Sequence, residues 1–143
     1  MTVKAILSRK GGDVVTIAPT ATLSAAVKLL AERRIGAIVI TGPEDRVAGI
    51  LSERDIVRML AERGPTALDD NVAAVMTRKV TTCTEADTVA FIMERMTEGK
   101  FRHLPVVEQG KLVGLISIGD VVKYRVGEIE GESNALREYI ATA

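Results

Sequence analysis

The fold is decided by ten residues, Gly49-Ile50-Leu51-Ser52-Glu53-Arg54-Asp55-Ile56-Val57-Arg58, because they recur near the end of the chain as Gly114-Leu115-Ile116-Ser117-Ile118-Gly119-Asp120-Val121-Val122-Lys123. Four of the ten positions are identical, and four more exchange similar residues. Upstream, residues 14–35 match residues 80–101 with a spacing one residue longer. A chain that repeats itself is built from equivalent units, so the sequence predicts two units that face each other across a pseudo-twofold axis.

Each unit is predicted to run strand, helix, strand, strand, helix, which gives an α/β (α+β) fold of two related repeats with a C-terminal helix. The first unit has predicted strands at 14–17, 37–41 and 47–51, a helical stripe from Leu23 to Leu30, and a helix at 53–63. The second has predicted strands at 80–83, 104–107 and 112–116, a helical stripe from Val89 to Met96, and a helix from about Gly119.

The predicted domains are residues 1–66 for the first repeat, 67–126 for the second and 127–143 for a helical extension, with a linker at 66–75. A unit of about 60 residues buries proportionally little surface, so each repeat is expected to need the other as its packing partner.

The composition excludes several classes of protein. With 47% hydrophobic and 27% charged residues the chain is an ordinary globular protein. Its zero net charge and four aromatic residues argue against a nucleic-acid partner, although the basic pairs Arg9-Lys10 and Arg78-Lys79 leave a local patch open. The single histidine, His103, excludes a multi-histidine metal site within one chain.

The compartment is predicted from what the sequence lacks. Cys83 is the only cysteine, so no intrachain disulfide can form, which fits a reducing cytoplasm. The first residues lack the apolar core of a signal peptide, and no uncharged apolar run approaches the length of a membrane span. We therefore expect a cytoplasmic protein with no membrane partner.

The tail carries a heptad-like stripe, whose members alternate spacings of four and three: Val122, Val126, Ile129, Ser133, Leu136 and Ile140. Charged residues lie off the stripe. Two readings stay open, a helix that packs back on its own domain and a helix that helps two subunits associate. Gly127 and Gly131 weaken the case for a long rigid coil.

The repeated motif, Gly, two apolar residues, Ser, any two residues and Asp, also has two readings. Ser followed three residues later by an acid at a strand-to-helix junction is a capping box, which needs no ligand. The same junction offers free backbone N–H groups and the positive end of a helix dipole to a phosphate. An Asp one turn into the helix can accept hydrogen bonds from the two hydroxyls of a ribose, and the Gly lets a ligand approach the backbone.

At these residues the chain resembles the tandem CBS-domain family, whose paired repeats form a Bateman module. The supporting strings are the two motifs, residues 75–80 (Val-Met-Thr-Arg-Lys-Val) and residues 101–107 (Phe-Arg-His-Leu-Pro-Val-Val). The resemblance covers about Ile6 to Val126. It implies a sensor or regulatory module that binds adenosine-containing ligands such as AMP, ADP, ATP, NAD(H) or S-adenosylmethionine between the repeats, with no catalytic cofactor.

The resemblance also implies a role for individual residues. Asp55 and Asp120 would bind ribose hydroxyls, and Ser52 and Ser117 a phosphate. The adenine would be framed by residues of the first two strands of each unit: Thr16, Thr82, Ile38 and Leu104. Arg102 and His103 look like phosphate ligands, and Arg54 could join Arg102 in serving the phosphates of either site. Pro105 completes the predicted binding residues at a position where the two copies differ.

The copies differ where these ligands are expected. Gly36 and Ala37 replace Arg102 and His103, Val39 replaces Pro105, and Arg54 replaces Gly119. Unequal affinity of the two sites is therefore expected.

The predicted function is a regulatory module that binds AMP or NAD(H), with ADP or ATP as further ligands, and signals by a conformational or oligomeric change. We expect no enzyme, because no nucleophile or second acid is placed beside His103. We expect a homodimer and an unknown regulated protein. The alternative is a ligand-free structural or interaction module that regulates a partner.

Overall fold

The computed structural model describes residues 1–142, which form a mixed α+β fold with two small sheets. Its helices and strands are, in chain order, α1 (Val3–Lys10), β1 (Thr16–Ile17), α2 (Leu23–Arg33), β2 (Ala37–Thr41), β3 (Val47–Ser52), α3 (Glu53–Arg63), α4 (Val72–Val75), α5 (Val89–Gly99), β4 (His103–Glu108), β5 (Lys111–Ser117) and α6 (Ile118–Thr142). The predicted fold class is confirmed, with two halves of similar architecture.

The first half contains a three-stranded sheet in the order β1-β2-β3, in which β1 is parallel and β3 antiparallel to β2. The predicted strand at 37–41 and the helix at 53–63 have the bounds of β2 and α3. Helix α2 begins where the Thr22 hydroxyl accepts a hydrogen bond from the Ala25 N–H at 3.1 Å. Apolar residues of α2, β2, β3 and α3 then share one core.

The second half contains only the antiparallel pair β4-β5, and the strand predicted at 80–83 shortens to a single bridge between Cys83 and Val106. The sequence gives a reason. In the first half the Val39 N–H donates to the Val15 carbonyl. The residue matching Val39 is Pro105, which has no N–H, so the ladder cannot extend toward Thr81.

Each half is completed by a helix that precedes the other half in sequence. These two helices, α1 and α4, are called the crossed helices. Helix α1 contributes Val3 and Ile6 to the second core, and α4 contributes Val72 to the first. The backbone contacts are equivalent: the Val3 N–H donates to Asp87 at 2.9 Å, and the Val72 N–H to Ala21 at 2.8 Å. Neither helix was predicted, and α4 lies in the predicted linker. The division into 1–66, 67–126 and 127–143 stays a prediction.

The last helix is continuous from Ile118 to Thr142, so the predicted extension is not a separate element. Gly127 and Gly131 lie inside this helix with no neighbouring atom close to either. Beyond the buried Val121 and Tyr124 the apolar stripe is exposed, with Ile129 54% and Ile140 66% accessible. The first turns of α6 therefore pack on their own domain, whereas the predicted stripe does not.

Candidate functional site

The two copies of the motif meet at a cleft of about 550 Å³ between the halves. The first half contributes the end of β3 and the start of α3, and the second half the starts of β4 and α6. Six of the twelve predicted site residues line the cleft: Ser52, Arg54, Asp55, Arg102, His103 and Ser117. The cleft thus brings together residues that lie far apart in the sequence.

Both motifs form capping boxes. The Ser52 hydroxyl accepts from the Asp55 N–H at 3.3 Å, and the Ser52 N–H donates to Oδ2 of Asp55 at 2.9 Å. Ser117 and Asp120 repeat this exchange at 3.1 Å and 2.9 Å. The capping reading of the motif is thereby confirmed for both helices. It uses one oxygen of each carboxylate, and Oδ1 of Asp55 takes part in no hydrogen bond found within residues 1–142.

The cleft concentrates positive charge in a chain whose net charge is zero. Its lining holds two carboxylates, Glu53 and Asp55, against five cationic side chains: Arg54, Arg58, Lys79, Lys100 and Arg102. Helices α3 and α6 also begin there, and the free N–H groups of a helix N-terminus attract anions. The site is therefore suited to a small anion such as a phosphate group.

His103 is another lining residue of the cleft, and it lies against Gly36. A β-carbon at Gly36 would be 3.3 Å from Cε1 of His103, so the absence of a side chain at Gly36 leaves room for the imidazole. Burial, followed by the nearby positive charge of Lys10, lowers the pKa of His103 below its ordinary value of 6.5. The imidazole is consequently neutral at physiological pH and offers a hydrogen bond rather than a charge.

The two aspartates differ in their neighbours. The Lys10 ammonium donates to Oδ2 of Asp120 at 2.5 Å and to the Leu115 carbonyl at 2.7 Å. Burial opposes ionisation of Asp120, but the hydrogen bonds from Lys10 and Ser117 outweigh it and hold its pKa below the ordinary value. Lys79 follows α4 as Lys10 ends α1, yet it lines the cleft and is in no ion pair found within residues 1–142.

The structure does not bring the other predicted residues to the cleft. Ile38 and Leu104 are completely buried in the first and second cores. Pro105 is buried in β4, Thr16 is exposed on β1, and Thr82 uses its carbonyl to accept from Arg95 at 2.9 Å. Together with Asp120, these six residues are absent from the lining of the cleft.

Sequence reasoning missed several residues that do line the cleft: Arg58, Thr77, Lys79, Val80, Thr81 and Lys100. The signal for Arg58 was available, because it lies one helical turn after the motif. Residues 77–81 are brought in by the bridge between Thr77 and Ile50, which joins the segment after α4 to the first half. That bridge depends on the crossed helices, which the repeat pattern does not show.

The glycines of the motif serve packing. A β-carbon at Gly49 would be 2.5 Å from the sulfur of Met76, and one at Gly114 would be 2.7 Å from Cδ2 of Leu7. Leu7 lies in the crossed helix α1, and Met76 directly follows the crossed helix α4. The sequence predicts that these glycines let a ligand approach the backbone. In the structure they instead leave room for Met76 and Leu7 to pack against the strands.

The described residues were also searched for metal ligands, membrane-spanning helices and reactive thiols. No group of three or more potential metal ligands was found there, and none of the helices has the length and apolar character that a membrane crossing requires. Cys83 is buried, and burial followed by the charge of Asp87 raises the pKa of its thiol to about 12. A thiol that stays protonated is a poor nucleophile.

The geometry of two capped motifs around a central cleft agrees with sequence comparison. The profile of the CBS domain matches residues 3–62 and 72–127, so the chain belongs to the CBS-domain family and carries two of its repeats. The predicted resemblance is confirmed. Members of this family are generally regulatory modules rather than catalysts.

Two curated relatives share 35% identity with the chain. One is the mitochondrial CBS domain-containing protein CBSX3 of Arabidopsis thaliana, with 83% of this chain and 60% of that protein aligned. The other is an uncharacterised 17.7 kDa protein of Acidianus ambivalens, with 77% and 66% aligned. The chain therefore spans less than two thirds of the length of these relatives.

Solved structures confirm the fold. The CBS-domain protein ATU1752 of Agrobacterium tumefaciens has 46% identity and a TM-score of 0.84, over 87% of this chain and 99% of that one. The CBS domain protein PAE2072 of Pyrobaculum aerophilum, solved as a complex with AMP, has 32% identity and a TM-score of 0.75, over 84% and 89%.

Proposed function

We propose that the protein is a regulatory module that binds an adenine nucleotide in the cleft between its CBS repeats. One observation supports this most strongly: a neutral chain gathers five cationic side chains and two helix N-termini around one cleft. The cleft volume of about 550 Å³ is typical of small-molecule sites. AMP is the first candidate, because a relative with 32% identity was solved with it.

In the proposed mode the phosphate lies near Arg54, Arg102 and the start of α3. Oδ1 of Asp55 accepts from the ribose hydroxyls, because the cap uses only Oδ2. NAD(H), ADP and ATP are further candidates, since the cationic lining of the cleft suits a second phosphate. Asp120 would bind ribose only after Lys10 moves away.

The module is proposed to act in the cytoplasm as a homodimer and to pass its ligand state to another protein, or to its own assembly, through a conformational or oligomeric change. Helices α3 and α6 expose matching apolar residues, with Val57 66% and Val122 52% accessible. A second copy is a natural cover for such matching faces.

Calorimetry with AMP, ADP, ATP, NAD, NADH and S-adenosylmethionine tests the ligand, together with mass spectrometry of small molecules released from the purified protein. We expect AMP to bind and Asp55→Ala to abolish binding. Melting of the ligand-free variant separates this loss from loss of the helix cap. No binding of any compound at millimolar concentration would favour the alternative, an interaction module with an empty cleft.

A further inference from the structure

From Val126 onward, α6 presents an apolar stripe that no other part of residues 1–142 covers. Val126, Ile129, Leu136 and Ile140 are between 47% and 66% exposed. An exposed apolar stripe on a charged helix is the usual seam of a coiled coil. The stripe also continues from Val122, which lies on the proposed dimer face.

The spacing of the stripe fixes a heptad register. Spacings of four and three place Val122, Ile129 and Leu136 at the d positions and Val126, Ser133 and Ile140 at the a positions. The residues that flank the seam then follow. The e positions are Lys123, Glu130 and Arg137, and the g positions are Arg125, Glu132 and Tyr139.

These flanking charges distinguish the two orientations of a helix pair. In a parallel, in-register pair, each g residue lies beside the e residue five positions later on the other helix. Arg125 would then meet Glu130 of the second copy, and Glu132 would meet Arg137. Both pairs are attractive and occur twice by symmetry.

An antiparallel pair with the stripe fully overlapped gives the opposite result. Such a pair brings e beside e and g beside g, so Glu130 would meet Glu130 of the second copy and Glu132 would meet Glu132. Like charges across a seam are destabilising. Ser133, the one polar residue of the seam, faces its own equivalent only in the parallel, in-register arrangement.

We infer that α6 pairs with α6 of a second copy of this chain as a parallel, in-register coiled coil over residues 122–140. The inference rests on the proposed homodimer and specifies its orientation. It places the C-termini of the two copies side by side, and it requires no nucleotide.

Charge reversal tests the register in the full-length chain. Glu132→Arg would place arginine beside Arg137 of the second copy and should weaken the dimer on the order of tenfold, since two exposed pairs change from attraction to repulsion. Glu138→Arg makes the same change in charge at an f position and should leave the dissociation constant within about twofold. The double variant Glu132→Arg/Arg137→Glu should restore it. Sedimentation measures the dimer dissociation constant of the wild type, the two single variants and the double variant. Equal effects of Glu132→Arg and Glu138→Arg on this constant would overturn the inference.

Oxidative cross-linking tests the orientation. Val126→Cys and Ile140→Cys, prepared separately, should each form a disulfide-linked dimer, because each residue faces its equivalent only in a parallel pair. A mixture of Val126→Cys and Leu136→Cys chains that cross-links to each other would instead show the antiparallel pair and overturn the inference. The wild type is the background control, since its only cysteine is buried.

These experiments distinguish failure of the coiled coil from failure of the proposed homodimer or of nucleotide binding. A wild type that sediments as a monomer overturns the coiled coil and the homodimer together. A dimer without either set of cross-links overturns the coiled coil alone. Calorimetric binding of AMP is unaffected by these results, and its absence would leave the coiled coil standing.

Discussion

At the scale of single residues, the two aspartates of the repeated motif share a role and differ in their surroundings. Both close capping boxes, but Asp120 also holds the Lys10 ammonium. Helix α1 continues to Lys10, whereas the shorter α4 ends at Val75 and leaves Lys79 at a bend that lines the cleft. We therefore expect the two lysines at matching places to have opposite effects on nucleotide binding.

Lys10→Met should raise the number of AMP molecules bound per chain from one to two, because it frees the Asp120 carboxylate while keeping side-chain volume. Lys79→Met is the matched control and should only weaken the first site, since it removes a cation from the open cleft. Calorimetric stoichiometry measures both. The explanation fails if Lys10→Met still binds one molecule, or if Asp120→Asn leaves a second molecule bound in the Lys10→Met background.

Arg102→Ala should weaken AMP binding by about 1.5–3 kcal/mol, the range for a hydrogen bond to a charged group, and leave adenosine binding unchanged. Arg46→Ala removes an exposed arginine outside the cleft and should change neither affinity. Calorimetry with both ligands decides. An equal loss for AMP and adenosine would show that Arg102 shapes the fold and does not bind phosphate.

His103 should make stability depend on pH. Because its pKa is lowered on folding, the unfolded chain binds more protons below pH 6.5, so the folded state loses stability as the pH falls from 6.5 to the folded pKa. Urea unfolding at about pH 7.5 and 5.5 should show a larger loss for the wild type than for His103→Gln. Identical pH dependence in both proteins would contradict this assignment.

At the scale of elements, sequence reasoning succeeded where the pattern is local. The bounds of β2 and α3 follow from an apolar run, a cap and the Gly64-Pro65 stop. It failed where tertiary contacts decide. Helix α4 has only four residues and exists because the first core accepts Val72. The candidate site shows the same difference. The repeated motif was enough to predict Ser52 and Asp55, whereas Thr77 and Lys79 reach the cleft only because the segment after α4 pairs with the first half.

Gly49→Ala should destabilise the fold by about 1–3 kcal/mol, because the new methyl group would lie 2.9 Å from the Thr77 carbonyl oxygen, and this backbone atom cannot rotate aside as a side chain can. Gly127→Ala provides the contrast. Its β-carbon meets no atom within 4 Å, so the change should stabilise α6 by about 0.5–1 kcal/mol. Chemical unfolding gives both values. A neutral Gly49→Ala would mean that the segment after α4 shifts without cost.

At the scale of the whole molecule, the two cores are predicted to unfold together, because each contains a helix that belongs in sequence to the other half. Ile6→Ala should cost about 2–5 kcal/mol, as expected for a truncated core residue. Hydrogen exchange should speed up in β4 and also in β2, although Ile6 contacts only the second core. Acceleration confined to β4 and β5 would show that the halves open independently.

The crossed helices also bear on ancestry. A chain of half this length, carrying one repeat with its leading helix, would have no means of completing its own core. Two such chains would complete both cores by exchanging leading helices, as a domain-swapped dimer does. The present architecture is what tandem duplication of that half-length gene would produce, with the intermolecular exchange retained inside a single polypeptide.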